Sequence, residues 1–428
     1  MSRHISYRMT RGGVIPRIVF FLTLPTLCAA VQVGAAEDTT FTDKVKNSLS
    51  GDWGQIKIDL RYRYEHVEQD GLKTANGDPI RLRLGYQTPK WAGFQGYAEF
   101  EGNTPVFLDD YNDKSNGKDE FAVIADPSEA ELNRGWLSYD LIEETVFRAG
   151  RQRIQLDNQR FIGNVGWRQM EQTYDAANLF SMSFGDFSAY GIYMWNVRNT
   201  ASQDVNMKSP LLNLKYNFQG IGALSAYGYW LDYDDPDNSG PSEYAFSTQT
   251  YGLRFDGSRQ AMDNLNLLYT AEVARQDDYQ ENPEDYTAYY YHFILGLLAP
   301  NSESAVTNIG GKIGYEVLDS DNNISLKTPL GTNHAFNGWA DQFLTAPPEG
   351  LRDLYAILTF NWLGVKADVI YHDFKADTGG ADYGSELDLS LTKKFGDSYA
   401  LQAKYADYDA DEFNTDVQKF WLQFTVTY

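Results

Sequence analysis

The chain has 428 residues, 36 Lys and Arg against 59 Asp and Glu, a formal charge of −23 and one cysteine. The acid excess argues against a nucleic-acid binder, which would show a basic patch or stripe, and a single cysteine excludes a disulfide framework or a Cys-rich metal cluster. Charged residues, at 22%, are at an ordinary level, so this is no disordered acidic tail; the unusual component is aromatic, with 30 Tyr, 24 Phe and 9 Trp.

The N-terminus reads as a separate object. Residues 1–17 carry Arg3, Arg8, Arg11 and Arg17 and no acid. An apolar run follows from Ile18 to Ala30, and Gly34-Ala35-Ala36 closes it before the first acid, Glu37. Basic, apolar and then small residues describe a secretory signal, with cleavage expected after Ala36. The run falls short of the roughly 20 apolar residues needed to span a bilayer and contains Pro25, which argues against a membrane anchor. Leu27 before Cys28 argues against lipid attachment. The expected organisation is therefore a signal peptide over 1–36 and one domain over 37–428. Cleavage would remove the only cysteine, so rigidity must come from something other than disulfides.

After the signal, period-2 patterns dominate. From Gln55 to His66, Ile56, Ile58, Leu60, Tyr62 and Tyr64 share one face and Lys57, Asp59, Arg61, Arg63 and Glu65 the other. Leu82, Leu84 and Tyr86 oppose Arg81 and Arg83. Val365, Ala367, Val369 and Tyr371 oppose Lys366, Asp368 and His372, and Leu387, Leu389 and Leu391 oppose Glu386, Asp388 and Ser390. The last strand sets Phe420, Leu422, Phe424, Val426 and Tyr428 against Lys419, Trp421 and Gln423. A soluble sandwich hides such an apolar face in a core; a membrane barrel turns it to lipid and keeps the polar face around a lumen. Strand lengths of about 9–12 residues, aromatics near strand ends and an aromatic last residue favour the barrel. That ending resembles the assembly signal of bacterial outer-membrane barrels, which implies the barrel assembly machinery as a partner.

Loop lengths alternate. Short turns are expected at 88–93, 141–145, 185–186, 219–222, 257–264, 362–363 and 395–398. Longer segments fall at 67–79, 103–132, 154–175, 197–208, 233–247, 276–285, 319–350, 374–384 and 409–416. The fold class is therefore all-β: a transmembrane antiparallel β-barrel in the bacterial outer membrane, with lipid and lipopolysaccharide as its surroundings. Eighteen strands are counted, with sixteen as the alternative. The segment 297–308 is long for a short turn, and 322–327 has the pattern of an extra strand. A mean hydropathy of −0.47 is compatible with this home, because a barrel shows lipid only alternate residues.

Enzyme signals are thin. His66, His292, His334 and His372 are scattered, and no Gly-x-Ser-x-Gly elbow, His-Glu-x-x-His or Walker loop occurs. The acidic stretches Asp232–Asn238 and Asp407–Glu412 have carboxylates able to hold Ca²⁺, but lack EF-hand spacing and read as solvated loops. No other cofactor is expected. The inward basic residues are more informative: Arg61, Arg63, Arg81 and Arg83 on adjacent strands, with Arg134, Arg148, Arg254, Lys366 and Lys404 elsewhere on polar faces. They read either as a lumen cross-braced by ion pairs or as a positive constriction that selects anions.

Two stretches carry a family resemblance. One runs from Phe147 through Arg148, Arg151 and Arg153 to Ile154 and on from Leu156 to Asp175; the other runs from Lys327 to Tyr355. Both resemble the alginate export family of outer-membrane barrels. The resemblance implies an 18-stranded monomer with an arginine-rich constriction through which an anionic polysaccharide leaves the cell. Both stretches fall in the longest loops, where Phe161, Trp167, Phe336 and Trp339 promote order, so the loops are expected to fold into the pore mouth. Arg151, Arg153, Arg160 and Arg168, with Asp157 and Glu171, would then line it. The function expected is a passive channel for an anionic polysaccharide or acidic solute, with a substrate-specific uptake porin for a small solute as the rival.

Overall fold

A computed structural model describes residues 35–234, 244–300 and 305–428. All of the expected signal but its last two residues, and most of the Asp232–Asn238 stretch, lie outside the described residues. Two units separate: Met1–Lys46, whose described part belongs to helix α1 (Ala35–Ser48), and Asn47–Tyr428. The second holds every strand of the wall.

In chain order these strands are β1 (Gly54–Gln69), β2 (Ala75–Gln87), β3 (Phe94–Asp110), β4 (Glu129–Ile142), β5 (Thr145–Gln152) and β6 (Thr173–Phe184). Then come β7 (Phe187–Arg198), β8 (Asp204–Phe218), β9 (Gly222–Leu231), β10 (Thr248–Met262), β11 (Leu265–Asp278) and β12 (Thr287–Ala299). The wall ends with β13 (Val306–Leu318), β14 (Leu351–Trp362), β15 (Val365–Lys375), β16 (Asp382–Phe395), β17 (Tyr399–Ala410) and β18 (Val417–Thr427). Each pairs antiparallel with its neighbours, and β18 closes on β1 from Asp59↔Thr427 to Gln69↔Val417. The result is an 18-stranded closed barrel. Closure gives every strand two partners, so the ladder leaves no edge unpaired within the hydrocarbon.

The alternation read from sequence sets the two faces. Leu84, Phe100, Leu253, Leu295, Ile313 and Leu358 are exposed on the outside, while Arg81, Glu101, Glu272, Glu316 and Asp388 are buried inside. A continuous exposed apolar belt of this size marks a lipid-facing surface. Aromatics rim it: Trp91, Phe184, Phe218 and Trp362 near the short turns, Trp195, Tyr251 and Tyr289 near the long loops. Both ends of the wall lie at the short-turn side, where the Ile58 N–H donates to the Tyr428 carbonyl (2.9 Å).

Several sequence boundaries need correction. β1 and β3 run 16 and 17 residues, beyond the crossing length, so 67–69, 75–79 and 103–110 are strand rather than loop. Beyond the bilayer the outer face meets water, and period-2 contrast fades although the ladder continues, as in Val67↔Ala75 and Asn76↔Asp110. The 322–327 stretch forms no wall strand: Ile324–Ser325 pairs only with Ser320–Asp321 as a small hairpin inside the 319–350 loop. The sixteen-strand alternative falls with the observed closure.

Candidate functional site: a lumen crossed by two joined loops

The loops 153–172 and 319–350 enter the barrel and meet. Ile162 and Leu330 form a parallel bridge. The Gly163 N–H donates to the Leu330 carbonyl (2.8 Å) and the Thr332 N–H to the Gln159 carbonyl (2.9 Å), and the Val165 N–H donates to Thr332 Oγ1 (3.1 Å). The seam needs Gly331, whose Cβ would lie 2.3 Å from the Arg160 carbonyl oxygen. Aromatic side chains fix the pair to the wall. Phe161 packs on Tyr227 and Tyr290 (5.6 and 5.3 Å between ring centres), and Phe343 on Phe374 (4.5 Å). Trp167 stacks on His334 at 4.5 Å and 4°.

Wall carboxylates hold the tip of the second loop. Glu386 accepts the Ala340 N–H (2.6 Å) and Asp388 the Trp339 N–H (3.2 Å). Gly338 immediately precedes Trp339 with φ +85°, and a Cβ there would stand 2.2 Å from Glu386 Oε2. Gly338→Ala is therefore expected to destabilise the docked loop by at least about 1–2 kcal/mol, from backbone conformation alone. Limited proteolysis would show faster cleavage within 319–350, with the heat-modifiable gel mobility of the barrel retained; a cleavage rate equal to the parent's would refute it.

The structure divides the basic residues into two groups. Arg63, Arg81, Arg83, Arg160, Arg168, Arg254 and Lys404 are buried, and their partners account for them. Arg63 donates to Gln423 (2.8 Å), lies against the Trp167 ring (4.0 Å) and stands 3.6 Å from Asp126. Arg81 pairs with Asp59, and Arg83 with Glu101. Arg160 binds Glu316 (2.9 Å), and Arg168 binds Asp341 (2.8 Å). Arg254 binds Glu272 and Asp256 (both 2.5 Å). Lys404 is caged by the rings of Trp339 and Trp167 (3.6 and 3.9 Å) and donates to His334 Nε2 (2.9 Å). Arg63, Arg83, Arg160, Arg168 and Lys404 brace loops to wall, Arg81 and Arg254 pair within the wall, and a passing solute meets little of them. Glu171 and Asp157 are likewise engaged. Glu171 takes Arg153, Asn133 and Asn164 (2.6, 2.8 and 2.6 Å). Asp157 takes Asn213, Ser225 and Lys215 (2.6, 2.7 and 3.2 Å).

The second group is half-buried or exposed: Arg61, Arg134, Arg148, Arg151, Arg153 and Lys366. Arg61 stands directly opposite Arg81 in register, a like-charge pairing that costs stability unless compensated. Loop carbonyls supply part of that compensation: Arg61 donates to those of Gly166, Trp167 and Arg168 (3.1, 3.1 and 3.3 Å). A bulge in the β3–β4 pairing lets Asn133 and Arg134 both reach Glu99 (2.9 and 2.8 Å). Arg148 lies on the Trp136 ring (4.3 Å). Among the described residues neither Arg61 nor Arg148 has a carboxylate within 4 Å. Arg151 pairs with Asp175 and Asp204 (2.8 and 3.1 Å) at the long-loop end, and Lys366 with Asp368 (2.9 Å) toward the short turns.

Sequence reasoning did not single out Asp126, Glu316, Asn337, Asp341, Lys419 or Trp421. Asn337 and Asp341 sit inside the second conspicuous stretch, so that signal was available. Asp126 had none: it is buried, accepts the Gln169 N–H (2.8 Å), and serves residues distant in sequence. The four scattered histidines each find a polar partner: His334 contacts Asp341 (2.6 Å), His372 contacts Asp353 (2.9 Å), His292 contacts Tyr355 (2.7 Å) and His66 contacts Asn76 (2.9 Å). Burial, with Lys404 and Arg168 nearby, pushes His334 down to about 3, and Asp341 offsets only part of this. Its Nδ1–H then donates to Asp341 and its Nε2 accepts from Lys404. Burial alone would raise Asp341, but Lys419, His334 and Arg168 hold it well below the usual carboxylate range. Glu171 is also lowered, Arg83 and Arg153 outweighing its burial. Among the described residues no group of three or more His, Cys, Asp or Glu is placed to hold a metal ion.

A family model described as "Alginate export" matches residues 52–285. No curated protein matches the chain. Among solved structures, the chain is similar to OccAB4 of Acinetobacter baumannii at 14% identity, over 89% of this chain and 100% of that one, with a TM-score of 0.65. It is similar to OpdQ of Pseudomonas aeruginosa at 14% identity, over 87% and 98%, TM-score 0.66. It is also similar to OpdK of Pseudomonas aeruginosa, solved with vanillate, at 10% identity over 87% and 98%, TM-score 0.66. At such identities the likeness is one of fold.

Proposed function

The chain belongs to the alginate export family and is a passive channel of the bacterial outer membrane, and from that premise we propose that it conducts carboxylate-bearing solutes along its β1–β5 wall. The observation that carries this reading is the half-buried basic row Arg61, Arg134, Arg148 and Arg153, in which Arg61 and Arg148 lack a carboxylate partner among the described residues. Charge that fixed acids do not neutralise sets the field a solute meets. Weak, repeated contacts along such a row let an acidic group enter without being trapped. The first solute class is an oligo- or polyuronate, in keeping with the family.

A second reading is uptake of a small acid, and the joined loops favour it, because they subdivide the lumen. OpdK, solved with vanillate, offers a small carboxylate as a probe. Purified protein in a planar bilayer, titrated with oligouronate and with vanillate, separates the two: block by the oligomer supports the first, and block by vanillate alone supports the second. Arg61→Gln combined with Arg148→Gln is expected to move the reversal potential under a salt gradient toward cations. An unchanged potential would remove both arginines from the solute path.

A further inference from the structure

On the short-turn side of the 319–350 loop tip, the lumen holds a cavity of about 210 Å³, below the roughly 300–1,000 Å³ of pockets for drug-sized ligands and so scaled to a single ring. Asn158 and His292 form part of its polar side, Phe336 and Trp339 contribute flat aromatic surface, and Ile357 and Ile370 an apolar rim. Ile357 and Ile370 are register partners on β14 and β15, one inward step nearer the short turns than Tyr355 and His372.

Two polar atoms of the lining lack partners. His292 is buried at 3% exposure; its Nε2 contacts the Tyr355 hydroxyl (2.7 Å), and its Nδ1 contacts no described group. Asn158 Oδ1 accepts the Arg160 N–H (3.2 Å), while its Nδ2 is buried and unpartnered. Leaving such a buried atom unsatisfied is destabilising.

The charged groups of the cavity already have partners within the protein. Arg254 is engaged by Glu272 and Asp256, Glu316 by Arg160, and Asp353 by His372. A carboxylate entering here meets no cation without an acidic partner. A hydroxyl both donates and accepts, so it satisfies Asn158 Nδ2 and either tautomer of His292. A ring with hydroxyls on its edge and C–H groups on its faces also suits Phe336, Trp339 and the isoleucines.

We infer that this cavity binds one neutral polyhydroxylated ring, a single saccharide unit, by hydroxyl contacts to Asn158 and His292 and ring packing on Phe336 and Trp339. The site stands on the side of the lumen away from the β1–β5 wall and is independent of the acid-solute reading. It gives the channel a subsite that recognises sugar hydroxyls rather than charge.

The test is calorimetric titration of the full chain in detergent with glucose and, separately, with glucuronate. Saturable glucose binding, about tenfold tighter than glucuronate, is expected. Asn158→Leu, a loop change, and His292→Phe, a wall change, are each expected to weaken glucose binding about tenfold, which corresponds to about 1.4 kcal/mol. Heat-modifiable gel mobility checks that both barrels form. Absence of saturable glucose binding, glucuronate binding as tight as glucose, or parental affinity in both variants would overturn the inference. Bilayer reversal potentials on the same proteins keep the two readings distinguishable, since neither substitution alters the Arg61–Arg153 row.

Discussion

Arg160→Ala is expected to part the two loops and raise single-channel conductance and noise while leaving the barrel closed. Arg160 lies in the first loop, yet its partners sit on the second loop and the wall: Glu316 (2.9 Å), Asn333 (3.3 Å) and Asn337 (2.8 Å), with Phe336 against the guanidinium (4.7 Å). Removing the cation leaves Glu316 buried without it. Breaking one side of a buried ion pair costs about 3–5 kcal/mol, more than the backbone contacts of the seam restore at about 0.5–1.5 kcal/mol each net. The wall does not share the loss, because its closure rests on the β1–β18 ladder. Arg160→Lys keeps the charge but not the fork, and should fall between parent and alanine variant. Conductance and noise at the parental level in Arg160→Ala would show that the seam alone holds the loops.

Acid should loosen the same assembly, reversibly. His334 is held near 3 when docked, against an ordinary value of about 6.5. Between those values the released loop binds a proton that the docked loop refuses. Docking therefore weakens as pH falls, by about 1.4 kcal/mol per pH unit. Asp341 and Glu171 are lowered when docked, so their contributions are present at neutral pH and are also lost on acidification, below the ordinary carboxylate range. Current fluctuations should thus rise from about pH 6 downward and steepen below about pH 4.5. His334→Gln should abolish the upper part of this response and retain the more acid part. A wild-type current that is flat from pH 7 to 4 would exclude His334 from loop docking.

Much of this molecule was legible without coordinates. β1, β3, β5, β7, β10, β14 and β18 begin within a residue of the positions read from the pattern. Leu82 and Leu84 fall outside and Arg81 and Arg83 inside, as alternation requires. The misreadings sit mainly where one local signal stops: past the bilayer at 67–79, 103–132 and 204–208, at the expected turn 257–264, where β10 continues to Met262, and at 322–327, where a strand-like stretch closes on itself inside a loop.

The sequence by itself determined the barrel, its facing and its conspicuous loops, because side-chain period and turn chemistry are properties of neighbouring residues. Tertiary structure alone decided what each charge does. Arg63 meets Gln423 across 360 positions and Arg160 meets Asn337 across 177; no local pattern records such pairs. An arginine on a polar face is the same residue whether it meets a solute or a buried carboxylate. Only the docking of the two loops, which buries Arg63 and Arg160 and leaves Arg61 and Arg148 half-buried without a carboxylate, separates the braces from the candidate path.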